Sequence, residues 1–349
     1  MVRGDSARHS RARKMRKTRD RMQETFHNTR AGRLDSVLAE LLCTSRNQAA
    51  QLLKAGAVTV NGIARNASWK LCGGEELRVC KQQAKPQQTQ EMTLDVPILY
   101  EDDCLLVLNK PPMLVVHGAP SVREPTLCDW LTQKGYCLST LAGENRHGIV
   151  HRLDKQTSGA IVIAKDNATH SALSAQLQSR ALGRYYLAIV DRELREDTIF
   201  ACDMARSSHN RLKMGKVPQG KGRFSQSLFV NLAPSLRGDS ALVAAKLKTG
   251  RTHQIRCHLE NLGRHILGDR LYGYRGGYEG RIMLHAYMLY LTHPKTQESL
   301  ILKAPLFLDM LRYLSQNYDR ERIDEVLGHG SIIAAFGILD ERLHASGTE

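Results

Sequence analysis

Nine consecutive residues, His151-Arg152-Leu153-Asp154-Lys155-Gln156-Thr157-Ser158-Gly159, place a carboxylate, a guanidinium and a glycine-ended turn side by side. Asp154 is the group most able to react. The apolar, β-branched run Ala160–Ala164 comes next, bounded by Lys165 and Asp166, and reads as a buried strand. Asp154 is therefore expected on a loop braced by a sheet, a setting in which charged side chains commonly bind or catalyse. The same residue types also suit an ordinary turn with a capping Asp, so this spacing by itself supports either reading.

Further blocks stand downstream in order. Arg184-Tyr185-Tyr186-Leu187-Ala188 reads as a strand, Thr249–Leu259 carries Thr252, His253, Gln254 and Arg256, Gly268-Asp269 and Tyr272-Gly273 come next, and Leu284-His285-Ala286 is closed by His293-Pro294. Together with His151–Gly159, these blocks resemble the motifs of the RluA/RluD family of RNA pseudouridine synthases over about residues 93–315. The resemblance implies an α+β catalytic domain with a mixed, mainly antiparallel sheet, and an isomerase that converts uridine to pseudouridine. It also implies that Asp154 is the catalytic carboxylate and that Arg256 pairs with it. Tyr186 would stack on the target base and Leu284 would close the pocket behind that ring. Arg152 would fill the gap left by an extruded uridine, as a planar guanidinium can stack among bases. Thr157 and His253 are expected beside the substrate. An ion pair inside the domain is the alternative for Arg152 and Arg256, and a place in the core the alternative for Tyr186.

The reaction has no redox step and transfers nothing between molecules, so no cofactor is expected. His147 and His151, and His253 and His258, are spaced superficially like metal ligands, but no carboxylate or thiolate stands at ligand spacing beside them. No metal is expected. The segment Lys221–Ser227 departs from the family's usual run with bulkier residues.

The elements that must carry these groups can be read around them. The apolar positions Leu34, Val37, Leu38, Leu41 and Leu42 recur at helical spacing, Ser45 can cap a second helix, and Gly56 ends it. Val58-Thr59-Val60 meets the turn pair Asn61-Gly62, and Gly73-Gly74 precedes a closing strand over Glu75–Val79. This helix-helix-hairpin unit, residues 31–80, resembles the small RNA-binding domain named after small-subunit ribosomal protein four. By that resemblance Ser45, Arg46, Gln48, Lys54 and Asn61 are candidate RNA contacts. A Gln-rich linker, 81–92, would separate it from the catalytic domain at 93–315, leaving a C-terminal extension at 316–349 whose apolar run Ser331–Leu339 can pack on the domain or on a partner.

Charge points the same way. The chain of 349 residues has a formal net charge of +15. Residues 1–33 alone hold eleven Lys or Arg against three acidic residues, and the first thirty read as a basic arm. Such an arm suits phosphate contacts, while a solvated tail or attraction to a membrane surface would use the same charge. Without an apolar anchor RNA is the favoured partner, ribosomal RNA of the large subunit or a pre-ribosomal particle first and transfer RNA second. No signal peptide or membrane-spanning run is visible, so a cytoplasmic protein is expected. Eight scattered cysteines with no Cys-x-x-Cys pair argue against a zinc ribbon or disulfide framework.

Overall fold

The computed structural model describes residues 22–42, 44, 46–81, 94–118, 124–143, 146–328 and 330–345. The chain divides into two compact units between residues 87 and 88. The linker residues 82–92, Ser45 and the first 21 residues of the basic arm lie outside the described residues.

The smaller unit runs β1 (Met22–His27), β2 (Gly32–Arg33), α1 (Leu34–Leu41), α2 (Arg46–Lys54), β3 (Val58–Val60), β4 (Lys70–Leu71) and β5 (Glu76–Lys81). Leu34, Val37 and Leu38 form one face of α1 and bury against Ala49 and Leu53 of α2 and Val58, Val60, Leu77 and Val79 of the strands. Leu41, expected on that face, is exposed. Asn61 and Gly62 both take positive φ, 48° and 79°, giving the tight turn the pair signals. β3 then pairs with β5, Val58 opposite Val79. The arm expected through residue 30 has to be shortened, because β1 pairs along its whole length with β5, from Met22 opposite Lys81 to His27 opposite Glu76. A two-stranded ribbon is marginal in water, and β1 supplies the third strand.

The larger unit is built on one sheet: β6 (Ile98–Glu101), β7 (Leu105–Lys110), β8 (Ser158–Ala164), β9 (Gly183–Val190), β10 (Thr198–Arg206), β11 (Met214–Val217), β12 (Arg223–Pro234), β13 (Ala241–Leu247), β14 (Leu284–Thr292) and β15 (Ser299–Lys303). Their order is β11-β10-β12-β13-β9-β14-β8-β7-β6, with β15 also on β14. Every pairing is antiparallel except β14 with β8. This is the mixed, mainly antiparallel sheet of an α+β domain. Its central strands are buried on both faces, and alternation divides them between two cores. Leu106, Leu108, Ile161 and Ile163 enter one, and Leu105, Val107, Ala160 and Val162 enter the other with Leu173.

Helices α3 (Leu127–Gln133), α4 (Asn167–Ser179), α5 (Gln254–Asn261), α6 (Leu308–Asn317), α7 (Arg320–Val326), α8 (Ser331–Ala335) and α9 (Gly337–Ala345) cover the sheet. The boundary expected at 315/316 falls inside α6, and helices α7 to α9 belong to the same unit as the sheet. Phe336 is fully buried with its ring 5.4 Å from that of Tyr185. Asp340 accepts hydrogen bonds from Lys246 (2.5 Å) and Lys248 (3.0 Å). Burying a Phe side chain stabilises by about 2–3 kcal/mol, reason enough for the extension to fold back. Among the described residues no helix is long and apolar enough to cross a membrane.

Four histidines of this unit remain neutral in the folded state. Burial lowers His151 to about 3 and His117, His258 and His285 to about 4. Below the unfolded value of about 6.5 the unfolded chain then binds protons that the folded chain does not, so stability falls as pH drops toward 4. Asp309 and Asp340, held low by Arg281 and by Lys246 and Lys248 despite burial, add to the loss only below the unfolded carboxylate value of about 4. The urea midpoint is expected to fall between pH 6.5 and 4.5, and a flat midpoint across that window would refute the histidine account.

Candidate active site

The loop carrying Asp154 is fastened residue by residue. Lys110 Nζ, fully buried at the end of β7, donates to the carbonyls of Pro111 (2.8 Å), Leu114 (2.9 Å) and Lys155 (3.3 Å). Arg281 donates to the carbonyl of Gln156 (3.3 Å), and the Gln156 side chain accepts the Ile282 N–H (3.1 Å). The Thr157 N–H closes a turn on the Asp154 carbonyl at 3.1 Å. Gly159 then presses directly on β14: at φ +112°, a Cβ there would lie 2.2 Å from the Ala286 carbonyl. The backbone is fixed on both sides while the Asp154 carboxylate reaches a cleft.

In that cleft Asp154 Oδ2 accepts from Arg256 Nη1 at 3.3 Å. Arg256, on α5, is held from behind by Asp269, with Nε–Oδ2 at 2.6 Å and Nη2–Oδ1 at 2.8 Å. Its guanidinium lies 4.7 Å from the Tyr272 ring centre. Burial disfavours the charged guanidinium, but Asp269 and then Asp154 outweigh that and raise Arg256 above its ordinary value. A planar fork held at two nitrogens can present the third in only one direction, so Asp269 aims Arg256 at Asp154.

His253 precedes α5 in the left-handed conformation, φ +56°. Its Nε2 is 3.6 Å from Asp154 Oδ2 and its Nδ1 is 3.1 Å from the Tyr272 hydroxyl. Burial lowers its pKa, although Asp154 opposes the shift. The neutral ring that protonates Nε2 directs a weak dipole at the carboxylate, too long for a hydrogen bond.

Tyr186, Leu284 and Thr157 complete the walls, and Arg152 stands exposed at the rim with Nη1 3.5 Å from His117 Nε2. Among the described residues the buried Thr157 hydroxyl has no hydrogen-bond partner. Burial pushes the Tyr186 phenol up, so it stays protonated. Tyr185, on the opposite face of β9, packs on Tyr290 and Phe336 instead. All seven residues expected in the larger unit (Arg152, Asp154, Thr157, Tyr186, His253, Arg256 and Leu284) thus line one cleft. Asp269 and Tyr272 were visible only as members of a sequence block, and Lys110 and Arg281 did not stand out in the sequence at all. Nothing in the sequence pairs them with the atoms they hold.

In the smaller unit Arg46 Nε bonds Asp35 Oδ2 at 3.0 Å, and Arg33 engages both oxygens of the same carboxylate. Arg33 first, and then Arg46, hold the Asp35 carboxyl at about 2. The Asn61 side chain accepts the Glu76 N–H (2.8 Å), Thr44 donates to Gln48, and Lys54 is exposed at the end of α2.

Two other clusters have their own explanation. A cavity of about 780 Å³ is lined by Asp191, His265, Tyr274, Tyr278 and Tyr313, but Asp191 and His265 satisfy each other at 2.7 Å. Asp102, Cys104 and His293 bring donor atoms within 4.8 Å of one another. His293 Nδ1 accepts backbone N–H groups of Lys295 and Thr296, so Nε2 carries the hydrogen it donates to Asp102 at 2.6 Å.

The sequence profile of the family described as RNA pseudouridylate synthase matches residues 104–261, and that of the S4 domain matches residues 32–77. A protein named uncharacterized RNA pseudouridine synthase from Helicobacter pylori strain 26695 is 47% identical over 313 residues, 87% of this chain and 95% of that protein. The protein named ribosomal large subunit pseudouridine synthase D from Neisseria meningitidis Z2491 is 37% identical over 300 residues, 81% of this chain and 78% of that one. The structure of human RNA pseudouridylate synthase domain containing 4 superposes with a TM-score of 0.51 at 24% identity, covering 63% of this chain and 92% of that one, a likeness of fold.

Because removal of one partner from a buried ion pair leaves the other charge uncompensated, Asp269→Asn is expected to lower the unfolding free energy by about 3 kcal/mol. Urea denaturation measures it, and an unchanged midpoint would mean that Asp269 does not carry the Arg256 charge.

Proposed function

The chain belongs to the RNA pseudouridine synthases, and on that premise we propose that it modifies uridines of large-subunit (23S) ribosomal RNA with Asp154 as the catalytic carboxylate. Pseudouridine formation breaks the bond between N1 of uracil and C1′ of ribose, then joins the same C1′ to C5, with a proton lost from C5 and one gained at N1. Nothing else is consumed. The carboxylate oxygen either attacks C1′, or removes the 2′ proton to leave a glycal; both begin at ionised Asp154.

The observation that carries this reading is the Asp154 carboxylate presented in a cleft by Arg256 at 3.3 Å, with Tyr186 and Leu284 in the walls. Arg256 orients the carboxylate before either route; once Asp154 is esterified or protonated it is neutral, and Asp269 still meets the Arg256 charge. Tyr186 offers a flat face to the uracil, and its phenol would help move the C5 proton. Leu284 closes the apolar side. Arg152, exposed at the rim, enters the stack that the extruded uridine vacates. Thr157 and His253 border the sugar side as hydrogen-bonding groups.

Ribosomal RNA is favoured by the joint presence of the S4 domain and similarity to the Neisseria protein, whose name specifies the large ribosomal subunit. Arg46, Gln48, Lys54 and Asn61, with Ser45 between the helices and the basic first residues, would meet RNA phosphates. Such a substrate places the protein in the cytoplasm.

Asp154→Asn keeps shape and deletes charge, so it is expected to abolish isomerisation while RNA affinity stays within a few-fold. The check is modification mapping of ribosomal RNA from cells lacking the protein, complemented with the native chain or with Asp154→Asn. Specific pseudouridines should be lost and return only with the native chain. An unchanged ribosomal map with sites lost from transfer RNA would reassign the substrate, and full activity of Asp154→Asn would remove that residue from the chemistry.

A further inference from the structure

Arg184 lies two residues before Tyr186 on β9, so both side chains point to the same face of the sheet and both line the cleft. Only 9% of the residue is exposed. Its neighbours among the buried cations are compensated: Lys110 by three carbonyls, Arg256 by Asp269 and Asp154, Arg281 by Asp309, and Lys246 by Asp340. Arg184 is different. Among the described residues its side chain makes no hydrogen bond or ion pair, and its Nε is buried with no partner.

A guanidinium stays charged in proteins, and a buried unpaired charge is among the most unfavourable features a fold can carry. An orphan donor at the wall of an open cleft makes physical sense when the acceptor arrives with the ligand. The cleft has no free carboxylate to offer it. Its lining holds Arg152, Arg184, Arg251 and Arg256 against a single carboxylate, Asp154, which Arg256 already occupies. His151, close enough for Arg184 to reinforce the lowering caused by burial, is neutral.

The opposite wall is shaped around this side chain. A Cβ on Gly250 would lie 2.6 Å from Arg184 Nη1 and 3.0 Å from Nη2. Gly250 has no positive φ that would call for glycine, so the missing side chain provides room for the guanidinium.

We propose that Arg184 is a substrate-contacting residue that receives an anionic oxygen of the bound nucleotide. This rests on the reading of the cleft as the uridine site. The oxygen has two sources in one substrate: a phosphate flanking the extruded uridine, or a uracil carbonyl oxygen, which gains negative charge when the bond to C1′ breaks and its electron pair stays on the ring. In the second case the charge is transient. The pair forms the C5–C1′ bond, and the proton then lost from C5 is balanced by one gained at N1.

The test uses the full-length protein and an RNA that the native chain modifies, with Arg184→Met, Arg184→Lys and Gly250→Ala. Affinity is measured between 50 and 200 mM KCl, the isomerisation rate under single turnover, and folding by thermal midpoint. If the acceptor is a phosphate, Arg184→Met weakens binding about 10-fold and makes the slope of log affinity against log salt shallower by about 0.9, while Arg184→Lys restores most of both. If it is the uracil oxygen, binding and slope are unchanged and the rate falls on the order of 100-fold, as when one oxyanion donor is removed. Gly250→Ala keeps the charge, adds one methyl to an ordinary backbone and pushes the guanidinium aside; it should shift the same parameter in the same direction. Native binding and rate in Arg184→Met overturn the proposal. Should Arg184→Met not fold, native behaviour of Gly250→Ala overturns it instead. Loss of activity in Arg184→Met alongside a fully active Asp154→Asn would instead break the reading of Asp154.

Discussion

Arg256 is the hub on which the site depends. It is buried, so its charge must be met inside the protein, and Asp269 meets it through two of the three nitrogens. The third nitrogen, Nη1, is what orients a carboxylate 102 residues earlier in the chain. Because the fork is rigid, the position of Asp154 is set by that of Asp269, and Asp269 is placed by the tight turn that starts at Gly268, whose φ is +83°. Tyr272 stacks on the guanidinium and its hydroxyl lies 3.1 Å from His253 Nδ1, so the same turn positions both Arg256 and His253 beside Asp154.

The sheet brings these turns to one end. The pairing of β8 with β14 is parallel and short, with His285 opposite Ser158 and Ala286 opposite Gly159. Parallel strands start at the same end of a sheet, so the loop entering β8, with Asp154, and the start of β14, with Leu284, lie together. Between β14 and β13, β9 sets Tyr186 opposite Ala286 on one side and Ala245 on the other. The segment leaving β13 after Leu247 therefore runs past Arg184 into Gly250 and His253. Each of these contacts is a consequence of strand register, and a one-residue slip of β9 would exchange Tyr186 for Tyr185.

The site was legible through the resemblance of its sequence blocks to a known family, since the spacing around Asp154 alone also fits an ordinary turn. The blocks around Asp154, Tyr186, Arg256 and Leu284 combine chemistry-bearing residues with the strand or turn that carries them. Elements were readable where local pattern decides, as in the helical spacing of Leu34, Val37 and Leu38 or the Asn61-Gly62 turn. Strand β1 was not, because Met22–His27 offers little apolar surface and owes its conformation to β5, some fifty residues later. The helices after residue 316 were visible as an apolar run, but their docking depends on Tyr185 and on Lys246 and Lys248, which become neighbours only after the sheet has formed. Partners such as Asp269 for Arg256, or Asp309 for Arg281, are facts of tertiary distance.

A strongly basic chain must also solve a problem of self-repulsion, since a large net charge disfavours the compact state. The solution here is spatial. More than half of the net charge lies in the first 33 residues. In the smaller unit the two cations that meet Asp35 keep about half of each side chain in solvent, where water and salt screen them. In the larger unit Arg256 and Arg281 are screened little but are paired with carboxylates, while Lys110, lowered to about 7 by burial and the Arg281 charge, is held by carbonyls; these partners also fix their direction. Exposed cations remain free to follow a polyanion, while buried ones are committed to holding a loop or a carboxylate in place. Arg184 is buried like the second group yet uncommitted like the first, and a buried charge of that kind is most stable when the anion comes with the substrate.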